Sequence, residues 1–161
     1  MFGIFRAVLL NPIPYADPDR VVAIQTRFID TGRQIPRVTG GDLTDIVQAR
    51  DVFETVGRYN GGLIGVQLRQ RAEWANTYFV NPGFFDAFDV VPLRGRALSA
   101  QDARRSAAVS SEFANRAFGG IDLALGQVLQ IDKRSYQVVG VMPPGFNFPD
   151  KAGIWAADNE A

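Results

Sequence analysis

The residues of this chain that could do acid–base chemistry are carboxylates. Asp17 and Asp19, Asp42 and Asp45, and Asp86 and Asp89 stand in close pairs, with Glu54, Glu73 and Glu112 beside them. Two carboxyl groups flanking one bond can hydrolyse a glycoside. Each pair here, however, falls in a loop or near a helix start, where capping and solvation account for it. Other reactive groups are missing, since the 161 residues contain no His and no Cys. That removes an imidazole base, an imidazole metal ligand, thiolate chemistry and disulfides. No GxSxG elbow presents a serine, and no base is at hand to activate one. Gly40-Gly41, Gly61-Gly62 and Gly119-Gly120 are paired glycines, but neither GxGxxG nor a Walker A pattern surrounds them. A chain without a phosphate loop cannot be an ATP-hydrolysing subunit. Hydrolysis by carboxylates is the one enzymatic reading left open; no catalytic residue, cofactor or metal is assigned.

Binding chemistry is bounded in the same way. Seventeen basic residues balance seventeen acidic ones. A neutral chain lacks the positive field that draws nucleic acid, so no nucleic-acid partner is expected. Arg69/Arg71, Arg94/Arg96 and Arg104/Arg105 read as solvated faces. Phe84, Phe85, Phe88, Phe113 and Phe118 fall at helical spacing and read as core. Phe146 and Phe148 follow a Pro143-Pro144-Gly145 turn. They either pack over the preceding hairpin or meet a partner from an exposed loop.

These residues need elements to hold them. A chain of this length is usually one domain, burying roughly 70% of its unfolded surface. No run reaches the roughly 20 apolar residues that cross a bilayer. Met1–Leu10 is apolar apart from Arg6 and too short to span. It reads either as a short buried helix or as the stump of a membrane helix. Pro12, Pro14 and Pro18 separate it from a strand within Val21–Phe28. Asp30–Arg37 is turn-like. Thr39 with Asp42 has capping-box spacing, opening a helix striped by Leu43, Ile46 and Val47. Asn60-Gly61-Gly62 breaks the chain. Strands over Leu63–Arg69 and Ala72–Val80 are joined at Gln70-Arg71. Asn81 then caps a short helix with Pro82 at its first position. A strand at Ala107–Val109 leads to a helix capped by Ser110 or Ser111 and stopped by Gly119-Gly120. Gln127–Ile131 and Tyr136–Met142 form a hairpin around Asp132-Lys133. The pattern predicts an α+β fold, with short helices packed on an antiparallel or mixed sheet.

Four blocks carry a resemblance. Tyr136–Asp150 reads YQVVGVMPPGFNFPD, Ala7–Val22 reads AVLLNPIPYADPDRVV, Phe79–Leu98 reads FVNPGFFDAFDVVPLRGRAL, and Ala108–Gly120 reads AVSSEFANRAFGG. In their order along the chain they resemble the periplasmic core domain of MacB-like (FtsX/MacB-type) ABC-transporter permeases, most of all the permease group common in acidobacteria. The resemblance implies a porter-like α/β part with a smaller β-rich part. It implies a membrane-proximal stump at residues 1–15 and a core domain at 16–157, truncated at its C-terminal end. It implies a non-catalytic domain on the periplasmic face of the cytoplasmic membrane, relaying ATPase-driven motion for export or release of a substrate. The implied partners are a cytoplasmic ABC ATPase, a second permease copy and a periplasmic adaptor. The motif positions read as structural: Pro12, Pro14, Tyr15, Phe84, Phe85, Gly95, Arg96, Phe118, Gly119, Gly140, Pro143, Pro144 and Gly145. Asn11 stands where the family has Arg, and the hairpin tip lacks the usual Gly. The early end predicts an unfilled position at a sheet edge, or one that a dimer partner covers. The alternative is a stand-alone module binding a lipid or peptide in an apolar groove.

Overall fold

A computed structural model describes residues 2–5 (backbone), 17, 19–28, 30–35, 37–38, 40–102 and 105–158. Among these residues ten strands form two sheets, accompanied by four helices. The smaller holds β1 (Phe2–Phe5), β2 (Ala23–Arg27) and β3 (Gln34–Ile35), in that order and antiparallel. The backbone of Phe2–Phe5 is therefore a strand where the sequence suggested a helix, and β3 stands where it suggested a turn. Helix α1 (Gly40–Gln48) follows, with Ile46 buried. The cap assigned to Thr39 lies outside the described residues.

The larger sheet contains β4 (Tyr59–Gln67), β5 (Ala72–Val80), β6 (Arg94–Gly95), β7 (Ser106–Ser110), β8 (Val128–Ile131), β9 (Arg134–Met142) and β10 (Ile154–Ala157). Its order is β6-β9-β7-β10-β5-β4-β8, and β8 also pairs with β9. Strands β4, β5, β10, β7, β9 and β8 thus form a ring that closes on itself. β10 runs parallel to β5 and antiparallel to β7, and β7 runs parallel to β9. The unfilled edge position expected from the sequence does not fall at β10, which sits in the middle of the sheet between β5 and β7. Strand β4 pairs with β8 only at Val66 and Gln67 and leaves the rest of that edge without a strand neighbour among the described residues.

One face of the ring strands packs on α3 (Ser111–Phe118) and α4 (Ile121–Ala124). Val66, Ala75, Val109, Leu129, Ile131, Tyr136, Val138 and Ile154 bury there with Phe113 and Ala124. The opposite face carries a second cluster around α2 (Gly83–Asp86), built from Tyr78, Val80, Phe84, Phe85, Phe88, Met142, Phe146 and Trp155. Ser110 caps α3 as expected, its Oγ accepting the Phe113 N–H at 3.0 Å. Gly119 ends that helix at φ +80°, a left-handed conformation that costs a glycine little.

Two local readings change. Asn60-Gly61-Gly62 lies inside β4 instead of breaking the chain, and the β4–β5 turn is Arg69-Gln70, because the Leu68 N–H donates to the Arg71 carbonyl at 2.7 Å. Asn81 does not cap α2 with its side chain. Its Nδ2 donates to the Val56 carbonyl at 2.9 Å and its Oδ1 accepts the Arg58 N–H at 2.6 Å. A long-range staple has displaced the local cap.

Candidate functional site

The turn after β9 takes the form its residues predict. The Phe146 N–H donates to the Pro143 carbonyl at 3.2 Å, and Gly145 has φ +84°. Positive φ at the third position, after Pro144 at the second, is a type II turn. The turn drops Phe146 into the second cluster, where it is 0% exposed. Its ring centre lies 5.3 Å from Trp155, 5.7 Å from Phe88 and 6.0 Å from Phe85. Of the two readings of Phe146, the structure shows the packed one, with its ring buried against three aromatics. Phe148 is half-buried on Phe88 and Tyr59, at 5.1 and 5.5 Å. The Trp155 Nε1–H donates to its carbonyl at 2.9 Å.

The loop is tied to β5 as well. The Tyr78 hydroxyl donates to Asp150 Oδ2 at 2.9 Å, and Asn76 Nδ2 donates to the Asp150 carbonyl at 2.7 Å. Burial, then the hydrogen bond and charge of Asp150, push the Tyr78 hydroxyl up to about 12. Burial, with the same carboxylate, also raises that of Tyr59. Neither phenol is tuned toward acid–base work near neutrality.

Gly95, Arg96 and Gly140 meet where β6 pairs with β9, Gly95 directly opposite Gly140. The β7–β9 register slips between Ala107 and Ala108, so Val139 bulges. The Arg96 N–H donates to the Val139 carbonyl at 3.0 Å. A Cβ on Gly95 would strike that carbonyl, and one on Gly140 would strike the Arg96 carbonyl. Both glycines are required by this close approach. The Arg96 side chain turns back and grips Asp102 with both Nη atoms, at 2.9 and 2.7 Å. Ser99 adds its N–H and its Oγ, the latter at 3.0 Å. The Asp102 side chain is 3% exposed. The Arg96 guanidinium, with help from Ser106 and Ser99, holds its carboxyl far below the usual carboxylate range despite burial. Sequence reading missed Asp102; the available signal was Ser99 three residues ahead, at capping spacing.

The remaining motif positions are scattered. Phe118 is half-buried on the first cluster, Pro143 is half-buried, and Pro144 is exposed. The exposed Gly145 donates its N–H to Glu112 Oε1 at 3.4 Å. Pro12, Pro14 and Tyr15 lie outside the described residues. The carboxylates do not converge either. Glu54 pairs with Arg20 at 2.7 Å, and Glu73 sits between Arg71 and Arg116, at 3.3 and 2.7 Å. Asp17 accepts the Asp19 N–H at 3.2 Å. Among the described residues no three metal-ligating groups cluster. A shallow cleft of about 160 Å³ lies among Leu43, Arg58, Tyr59, Phe79, Asn81 and Asp158. That is below the roughly 300–1,000 Å³ of a small-molecule site. No helix of the described residues is long and apolar enough to cross a membrane.

No curated protein matches the sequence. Solved structures do match in fold. The extracellular domain of the noncanonic ABC-type transporter YknZ from Gram-positive bacteria aligns at TM-score 0.60 and 15% identity, over 74% of this chain and 62% of its own. The periplasmic region of MacB from Actinobacillus actinomycetemcomitans aligns at 0.61 and 15%, over 83% and 62%. A domain of a permease protein from Porphyromonas gingivalis aligns at 0.52 and 21%, over 70% and 54%. The chain thus spans between about half and two thirds of each solved domain. At these identities the likeness is one of fold. The sequence itself matches a family model, the MacB-like periplasmic core domain, over residues 1–159. By that match the chain belongs to the MacB-like periplasmic core domain family.

Proposed function

We propose that the chain is the non-catalytic extracytoplasmic domain of a MacB-like ABC-transporter permease, relaying ATPase-driven motion to the export or release of a substrate. The observation that carries this reading is the family match over residues 1–159. The packing of the motif residues agrees with it. Phe84 and Phe85 are buried, and Gly95 and Gly140 sit at a close backbone pairing. Such residues make a stiff body, and a stiff body transmits displacement without doing chemistry. The motif positions act as structural residues in this reading. Residues 1–15 are the membrane-proximal stretch, with Phe2–Phe5 on the smaller sheet, and 16–157 form the core. The partners are a cytoplasmic ABC ATPase, a second permease copy and a periplasmic adaptor.

The 161 residues contain no cysteine, so one can be placed in this domain at a single chosen position. Lys133→Cys, at the exposed tip of the β8–β9 hairpin, is introduced into the permease in living cells. A membrane-impermeant maleimide should label it before lysis, and labelling only after lysis would place the domain on the other side. An environment-sensitive fluorophore at the same position should respond to ATP in reconstituted vesicles. A silent probe would remove the relay and leave the location standing.

A further inference from the structure

Strand β4 has two different edges. It pairs with β5 along its whole length, from Tyr59↔Val80 to Gln67↔Ala72. On its other side it pairs with β8 only at Val66 and Gln67. From Tyr59 to Ile64 that edge has no strand neighbour among the described residues. Hydrogen bonds at both ends of the β4–β5 ladder set its phase. The Leu68 N–H donates to the Arg71 carbonyl, and the Asn81 N–H to the Arg58 carbonyl. In an antiparallel ladder such bonded pairs recur at every second residue. The even-numbered peptide groups of β4 therefore face β5, and those of Tyr59, Gly61 and Leu63 face outward.

Proteins usually blunt an open edge with Lys, Pro, a bulge or brevity. This one reads Tyr59-Asn60-Gly61-Gly62-Leu63-Ile64, without a charge or a proline, and its register with β5 is unbroken. Leu63 beside it is 65% exposed, and Trp74, opposite Gly65 on the same face, is 72% exposed.

We propose that this edge pairs with the same edge of a second copy of the chain, antiparallel, with Gly61 opposite Gly61 on the two-fold axis. The phase of the ladder and the lack of charge favour a second copy. The outward peptide groups at 59, 61 and 63 are symmetric about Gly61, so each donor on one copy meets an acceptor on the other. The same register puts Tyr59 against Leu63 twice and leaves only glycine on the axis. The edge is uncharged and the chain has net charge zero. Two copies therefore approach without like-charge repulsion, whereas a partner chosen by charge finds nothing to read. Five residues per copy bury less than the ~1,200 Å² of a stable free-standing interface. The pairing is accordingly weak between free chains and firm when two copies are held side by side. That last step rests on the proposed membrane-held function; the pairing itself does not.

Amide NMR spectra of the isolated chain, diluted from about 1 mM to about 10 μM, test the edge across the affinity range of so small an interface. Shifts that depend on concentration are expected at Tyr59, Gly61 and Leu63. Leu63→Lys should weaken the association at least tenfold, while Val128→Lys, an exposed site elsewhere, should not change it. Shifts centred elsewhere, or none at about 1 mM, would overturn the pairing. Shifts that appear only when phosphatidylcholine vesicles are added would assign the Leu63–Trp74 face to lipid and overturn it too. The labelling of Lys133→Cys in cells is read separately, so the location can fail while the edge stands, and the reverse.

Discussion

Asp102 is held by two bonds from Arg96 and two from Ser99. These contacts favour its charged form and lower its pKa in the folded chain. A carboxyl with a depressed folded pKa stabilises the fold fully above its unfolded value of about 3.9. The contribution is lost as pH falls from there through the folded value. Asp102→Asn should therefore cost about 2 kcal/mol at neutral pH. In urea melts the gap to the parent chain should narrow below about pH 4. A gap that stays constant down to acid would show that the ion pair contributes nothing. The glycines where β6 pairs with β9 allow a sterically cleaner test. Gly140→Ala drives a Cβ into the Arg96 carbonyl, backbone that cannot swing aside, and should cost about 3 kcal/mol or more. Gly126 also has positive φ but opens onto empty space, so Gly126→Ala should cost only about 1 kcal/mol. Equal losses in thermal melts would mean that this pairing is looser than described.

At the scale of elements, the β8–β9 hairpin turns on Asp132 and Lys133, with φ of +48° and +65°. Two left-handed residues in a two-residue loop make a type I′ turn, whose second position favours glycine. Lys133→Gly should therefore raise stability by about 1 kcal/mol, read as a higher midpoint in denaturant melts; a lower midpoint would count against the turn assignment. This hairpin was legible in the sequence because alternation and turn residues are local. So were the Ser110 cap and the Pro143–Phe146 turn. What escaped was set by distant partners. Asn60-Gly61-Gly62 reads as a break, yet it is strand because Gly61, lacking a Cβ, packs against the backbone of Thr77 and Tyr78. Asn81 reads as a cap, but its amide finds Val56 and Arg58 instead. β10 is only four residues long, too short to show a period, and exists because β5 and β7 flank it. At the candidate site, Phe84, Phe85 and the turn were readable. The fate of Phe146 was not, because it depends on Trp155 and α2 arriving beneath the loop.

At the scale of the molecule, the last described strand, β10, is an inner strand of the ring. Ile154 pairs with Thr77 on one side and Val109 on the other, and its neighbour Trp155 is among the largest fully buried side chains. The ring therefore cannot be completed until residues 154–157 are in place. Non-local pairing of this kind folds slowly, in milliseconds to seconds. It also couples the ring strands, since opening β10 exposes both clusters at once. The smaller sheet is not coupled in this way. Thr26 and Arg27 meet β3 at only two residues, and the side chains of β2 are exposed or half-buried. Native-state hydrogen exchange should separate the two. Amides of β5, β7, β9 and β10 should exchange together, with protection equal to the global stability, and those of β2 and β3 should exchange faster through local opening. Comparable protection in both sheets would make the molecule one cooperative unit. Early exchange in β10 would mean that the ring opens at its last strand, and a body that opens there could not carry a displacement from one side to the other.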